Sequence, residues 1–166
     1  YDRRAGLVFF EEVARQVEAL PGVENVAFAT SLPLRGGFST EVTFARPAGG
    51  AASERHPTGV QGVSAGYFAT LGVPLLRGRL LSQHDREGTP PVAVVSETFA
   101  RRYSPAEDAI GRRFRHRADA PWIEIVGVVA DSRRYPTNER GPQVYLPAAQ
   151  TDSHPWRARE LVVRAA

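Results

Sequence analysis

Val63-Ser64-Ala65-Gly66-Tyr67-Phe68-Ala69-Thr70-Leu71-Gly72-Val73-Pro74-Leu75-Leu76-Arg77-Gly78-Arg79 holds a helix start, two adjacent aromatics, a glycine stop and a glycine-punctuated extended run. The Ser64 hydroxyl can accept from the free backbone N–H groups that open a helix; Tyr67, Phe68 and Leu71 then fall on one side, and Gly72 ends it. A helix this short does not stand alone. Its aromatic face needs a sheet beneath it, so the segment is architecture before it is chemistry.

Upstream, Leu7, Phe10, Val13, Ala14, Val17 and Leu20 recur at helical spacing with Glu11, Glu12, Arg15, Gln16 and Glu18 opposite them, which predicts one amphipathic helix stopped by Pro21-Gly22. A strand over Val23 to Ala29 follows, then an alternating strand over Thr40 to Ala45, with Pro33 and Gly36-Gly37 between them. Arg46 to Ser53, with Gly49-Gly50 inside it, reads as a loop or lobe boundary. Downstream, Leu75 to Leu81 is extended and Val92 to Val95 is a buried strand. Ser96 caps a helix whose inner face is Phe99, Ala100 and Tyr103. A strand–loop–strand pair runs from Arg112 to Arg117 and from Trp122 to Val129, and two late strands lie at Val144 to Leu146 and Leu161 to Val163. Many short strands with three helices give an α+β fold.

The 166 residues make one domain or two small lobes with enough chain to bury a core. Cysteine is absent, which excludes disulfides, zinc–thiolate sites and thiol nucleophiles. No apolar run approaches the ~18 residues of a spanning helix. The chain has no Met and starts at Tyr1, so a piece of a longer polypeptide is expected. All 21 basic side chains are Arg, spread along the chain against 18 acids, which gives a mixed solvated surface rather than a field of one sign.

The order of these segments resembles the periplasmic core domain of MacB-like ABC transporter permeases, especially FtsX-related permeases abundant in acidobacterial genomes. The resemblance is carried by Ala19-Leu20-Pro21-Gly22-Val23, the opening stretch through Arg79, His84-Asp85, Pro91 to Tyr103, Ile110-Gly111-Arg112-Arg113-Phe114, Ile125-Val126-Gly127-Val128-Val129-Ala130-Asp131 and Val144-Tyr145-Leu146-Pro147. It implies two lobes: a porter-like, membrane-proximal one from residues 1–46 and 141–166, and an inserted mixed α/β lobe from 47–140. It further implies transmembrane helices continuing from both ends and a strand upstream of the first helix. Its other implied partners are a cytoplasmic ATPase subunit, a periplasmic adaptor or lipoprotein, and a second permease copy in a dimer. The domain is expected to be extracytoplasmic and non-enzymatic, without cofactor, passing on conformational change or contacting cargo. Gly36, Gly37, Gly49 and Gly50 are the expected hinges between rigid cores around Phe10, Val17, Phe28 and Phe44, and around Tyr67, Phe68, Val94, Phe99 and Val128.

Rival chemistry is present in the residues. Gly62-Val63-Ser64-Ala65-Gly66 is a literal G-x-S-x-G, and Asp85 or Asp131 followed by His116 or His154 would complete a hydrolase order. Against it, the following helix is too short for a nucleophile elbow, and Ser64 as a cap accounts for the residue. His56, His84, His116 and His154 stand far apart without metal-ligand spacing, so no metal is expected. Asp85 reads as a turn or cap residue and Asp131 as capping the turn at Ser132-Arg133. Arg101-Arg102 and Arg112 to Arg117 form the dense basic zone; on a strand, Arg113, Arg115 and Arg117 face away from Phe114 and His116, as on a hairpin edge rather than a nucleic-acid surface. No G-x-G-x-x-G or Walker pattern occurs, so a bound nucleotide is not expected. A passive extracytoplasmic protein-binding module is the alternative to a moving permease part.

Overall fold

Asp2 starts the first helix: its carboxylate accepts from Arg4 N at 3.0 Å, and the chain winds through α1 (Arg3–Glu18). In this computed structural model, residues 2–32, 35, 37–46, 54–132 and 141–166 are described. Gly6, Leu7, Phe10, Val13, Ala14 and Val17 form the half-buried face of α1, and Phe10 meets Phe28 at 5.8 Å between ring centres. Leu20, expected on this face, is 56% exposed, because the helix has ended two residues before it. The strands and helices that follow are β1 (Val23–Ala29), β2 (Phe38–Phe44), β3 (His56–Val63), α2 (Tyr67–Leu71), β4 (Leu75–Gly78) and β5 (Val92–Ser96). Then come α3 (Glu97–Tyr103), β6 (Arg113–Arg115), β7 (Ile123–Val129), β8 (Gln143–Pro147) and β9 (Glu160–Ala165).

The strands share one sheet in the order β2-β6-β7-β5-β8-β3-β1-β9, and an additional β2–β3 ladder joins the two ends of its first six strands. Those six strands therefore close into a ring. The β3–β8 and β5–β7 ladders are parallel; the other four are antiparallel. β1 and β9 form an antiparallel ribbon outside the ring, and β4 pairs with the outside of β7. β6 lies between β2 and β7, so the edge expected from its arginines is an interior strand. One apolar residue between two arginines fits an edge as well as a short strand inside a closed ring. β2 also begins two residues earlier than expected.

Period-two alternation sorts the apolar residues into two cores. Every ring strand contributes to the first: Val42 and Phe44 from β2, Val60 from β3, Ala93 and Val95 from β5, Phe114 from β6, Ile123 and Ile125 from β7, and Val144 and Leu146 from β8. Phe99 and Ala100 of α3 close it, with Phe99 lying 6.0 Å from Phe44 and 6.2 Å from Phe114. The second core lies on the other face of the same strands, where Val92 and Val94, Val129 and Tyr145 meet Ala27 and Ala29 of β1 and Tyr67 and Phe68 of α2. Phe44 and Phe28, expected in one core, are thus in different places: Phe44 is inside the ring, and Phe28 packs under α1. The ladders also cross the expected lobe division, since β2 and β8 from one side of it pair with β3, β5 and β6 from the other.

Candidate functional site

The outer ribbon meets the ring at one place. β1 and β3 share a single aligned pair, Ala29↔Val63, and side chains extend the junction beyond it. Ser64 N donates to Phe28 O at 2.9 Å, and Phe28 N donates back to the Ser64 hydroxyl oxygen at 3.0 Å. Here a hydroxyl stands where a carbonyl would continue the ladder. On the other side, Thr30 N donates to Gly62 O and Gly62 N donates to Thr30 Oγ1, both at 2.9 Å. Gly62 has to be glycine: a Cβ there would lie 2.7 Å from Trp156 O and 3.2 Å from Thr30 Oγ1. The G-x-S-x-G motif is therefore a sheet junction. Ser64 does not cap α2, as the sequence suggested; Gly66 occupies that position without a side-chain hydrogen bond. The hydroxyl is engaged by a strand 36 residues earlier in the chain.

The junction forms the floor of an open cleft of about 530 Å³ between α1 and the 81–86 loop, walled by Glu11 and Arg15, Phe28, Ser64, Gln83 and Asp85. Ser64 and Asp85, the two hydrolase candidates, do share this cleft, yet each is committed elsewhere. Asp85 is 6% exposed and takes both prongs of the Arg79 guanidinium at 2.9 Å, plus Ser82 N at 2.8 Å. Burial pushes its carboxyl up, but the Arg79 and Ser82 hydrogen bonds outweigh that and hold it below the usual carboxylate range. This matches a turn residue: Asp85 N closes the same loop onto Ser82 O.

His154 is buried, with Nε2 2.8 Å from Pro147 O, and its ring stacks at 5.9 Å on Trp156. Burial, aided by His116 and Arg3, pushes its pKa down to about 4. His116 contacts the same indole at 5.0 Å, and burial together with Arg117 lowers its pKa also. Among the described residues neither histidine bonds to Ser64, so no triad is assembled. His84 is exposed and His56 packs 4.7 Å from Tyr103. No group of three metal-ligating side chains gathers among the described residues.

Asp131 precedes a turn that from residue 133 lies outside the described residues. Its carboxylate accepts from Thr98 N at 2.9 Å and Thr98 Oγ1 at 2.7 Å, tying the end of β7 to the first turn of α3. Ser96 caps α3 through Phe99 N at 3.2 Å and also accepts from Gln143 N at 3.0 Å. Tyr67 and Phe68 are buried, and Gly72 ends α2 at φ 68°. Gly78 and Gly127 face each other across β4 and β7; a Cβ would meet Val126 O at 2.2 Å from the first and Arg79 O at 2.0 Å from the second. Gly111 turns the chain into β6 with its N–H on Ile125 O. Of the expected hinges, Gly37 is exposed just before β2, while Gly36, Gly49 and Gly50 lie outside the described residues.

Arg101, Arg112, Arg115 and Arg117 of the dense zone have internal partners, Arg101 lying 3.8 Å from Asp131. Arg112 donates to Tyr103 O and Ser104 Oγ and lies 4.0 Å over Phe44; Arg115 lies over Trp122, and Arg117 pairs with Asp119. Sequence reasoning missed Thr30, Gln150 and Trp156. Gln150 holds Val92 N, Thr89 Oγ1 and Pro90 O, a role that no spacing in the chain signals.

The family described as the MacB-like periplasmic core domain matches residues 3–166. No curated protein matches the chain. Among solved structures, the periplasmic region of MacB from Actinobacillus actinomycetemcomitans superposes with a TM-score of 0.64 at 17% identity, covering 94% of this chain and 64% of that one. The extracellular domain of the noncanonic ABC-type transporter YknZ from Gram-positive bacteria gives 0.64 at 17% identity, covering 95% and 73%. A permease-protein domain from Porphyromonas gingivalis gives 0.60 at 20%, covering 93% and 67%. The chain thus spans under two thirds of the MacB region, and at these identities the likeness is one of fold. With a match over nearly its whole length, the chain belongs to the family of MacB-like periplasmic core domains of ABC transporter permeases.

Proposed function

We propose that the domain works mechanically, passing conformational change between the membrane part of its permease and an extracytoplasmic partner, with no catalysis of its own. The observation that carries this reading is the junction at Phe28–Thr30 and Gly62–Ser64. The first and last elements of the chain, α1, β1 and β9, form one unit, and a ladder with one aligned pair links it to a closed, fully packed ring. A force applied to either end of the chain reaches the ring through those few hydrogen bonds and through the apolar contact of Ala27 and Ala29 with the outer face of the ring. This joint takes the place of the expected glycine loops as the moving part. The energy comes from a separate ATPase subunit, and α1 with β1 and β9 moves as one body against the six-strand ring.

The test is transport by the full permease. Disulfide locking of the junction through the engineered pair Phe28→Cys with Ser64→Cys is expected to stop transport while ATP hydrolysis continues. Full transport in the oxidised, locked protein would sink the proposal. A passive docking module is the second reading, favoured by Val8 and Phe9, which α1 leaves 55% and 59% exposed. Under that reading, locking the joint leaves transport unchanged, whereas Phe9→Asp abolishes partner capture.

A further inference from the structure

The segment 148–159 leaves the ring at the end of β8 and returns to the ribbon as β9, so it is a strap that ties the two together beside the junction. Trp156 in this strap packs, partly buried, against the ring core. The strap also lies on the junction itself: a Cβ on Gly62 would stand 2.7 Å from Trp156 O and 3.4 Å from His154 Cε1. Two imidazoles flank the indole, His116 from the segment after β6 at 5.0 Å and His154 from the strap at 5.9 Å. His154 is 4% exposed, and its Nε2 lies 2.8 Å from Pro147 O. A carbonyl oxygen only accepts, so the ring proton sits on Nε2, and a second proton has to go to Nδ1. That atom is buried and has no partner among the described residues, and His116 Nδ1 is in the same position. An imidazolium at His154 would therefore bury both a charge and an unmatched N–H, and each is costly. Arg3 of α1 and His116 oppose a charge on His154, while Asp152 of the strap favours it; beside His116, Arg117 opposes a charge and Asp119 favours it. Pro147 of β8 and Gly62 of β3 offer no countercharge. The seated strap thus fits two neutral rings, whereas a strap lifted from the ring puts them in water, where they take up protons readily.

We propose that the His116–Trp156–His154 stack is an acid-released latch: proton uptake by the two rings lifts the strap from the ring and leaves the junction with its apolar contacts as the remaining tie to the ribbon. Both rings have their proton affinity lowered in the seated strap, so the lifted state binds more protons and its population grows as pH falls. For His154 the window runs from 6.5 down to about 4. The latch bears on transport through the moving joint proposed above, and rests on that reading for this consequence alone.

The chain contains no cysteine, so Ser153→Cys places a single thiol in the strap, at a position 5% exposed and next to His154. Its labelling by dipyridyl disulfide, which reacts in acid, is compared with that of a short peptide carrying the same thiol, and the ratio reads how often the strap opens. Between pH 6.5 and 4 that ratio is expected to rise by about tenfold per pH unit for each proton taken up, more than tenfold where both rings contribute. Val144→Cys, a thiol inside the ring, should label far more slowly at every pH, because it waits for global unfolding. Added to Ser153→Cys, His154→Gln is expected to remove most of the rise, and His116→Gln, which leaves the Pro147 bond intact, to make it shallower. A strap that opens equally at both ends of the window overturns the latch. So does a rise that survives in His154→Gln, an unchanged steepness in His116→Gln, or equal labelling of the strap and ring thiols. Ribbon amides opening ahead of ring amides in hydrogen exchange at neutral pH test the joint separately, so the latch and the joint fail independently.

Discussion

Ser64 shows how one side chain can satisfy a motif and serve another purpose. Its oxygen accepts from Phe28 N, so Ser64→Ala leaves a part-buried N–H unpaired, and a loss of about 1–2 kcal/mol is expected in urea unfolding. Hydrolysis of an activated ester by the purified chain, abolished by the same substitution, would contradict this assignment. His154 makes a different prediction, through pH. Its folded pKa, about 4, lies below the ordinary 6.5, so the unfolded chain binds the proton more readily and stability falls as pH drops between those values. Above that window the contribution is fully present, and below it the loss is complete at about 3 kcal/mol. The groups facing the ring are Arg3 from α1, His116 beyond β6 and Asp152 in its own loop; the two cations oppose protonation and the acid favours it. Stability measured across the window should lose that slope in His154→Gln, and an unchanged slope would place the titration elsewhere. What the sequence made legible here was residue type. Partners 33 and 36 positions away, Thr98 for Asp131 and Phe28 for Ser64, were not legible, because the hydrogen bond forms only once distant strands are brought together.

Elements were most readable where their signals are local. Ser96 before Glu97-Thr98-Phe99 marks a cap within a few residues, and Gly72 marks a stop in the same way. β5 and β8 were recognisable as apolar runs because both of their faces are covered. β6 was misplaced because a three-residue strand carries no information about its neighbours. Among the described glycines the tightest approaches are at Gly78 and Gly127, and they yield a sharp expectation. Gly127→Ala puts a methyl group 2.0 Å from the Arg79 carbonyl oxygen, which backbone cannot yield cheaply, so β4 separates from β7 at a cost of about 3 kcal/mol or more. Gly141→Ala, with nothing within 4 Å, is the control and should be near neutral in the same thermal melts. Equal melting temperatures for the two variants would show that the β4–β7 approach is loose.

For the whole molecule, a closed ring with an outlying ribbon implies two levels of stability. β5 and β8 are paired on both sides and fully buried, whereas β9 among the described residues pairs with β1 alone and half of its residues are exposed. Native-state hydrogen exchange is expected to show amides of Val162 and Val163 opening well before those of Val94 and Val144. Uniform protection across both would mean that ribbon and ring are one rigid body, and the mechanical reading would lose its joint. The ordered series of motifs from Ala19 to Pro147 pointed to the family, and the family match over residues 3–166 agrees. By itself the sequence determined which segments are helix or strand, where they stop and which faces are apolar, because backbone preferences and side-chain periodicity act over a few residues. Only the tertiary structure decided that six strands close on themselves, that a serine–glycine motif joins the outer ribbon to that ring and that two histidines flank one indole. Those outcomes depend on strand pairing between distant parts of the chain, and no short stretch of residues encodes its partner.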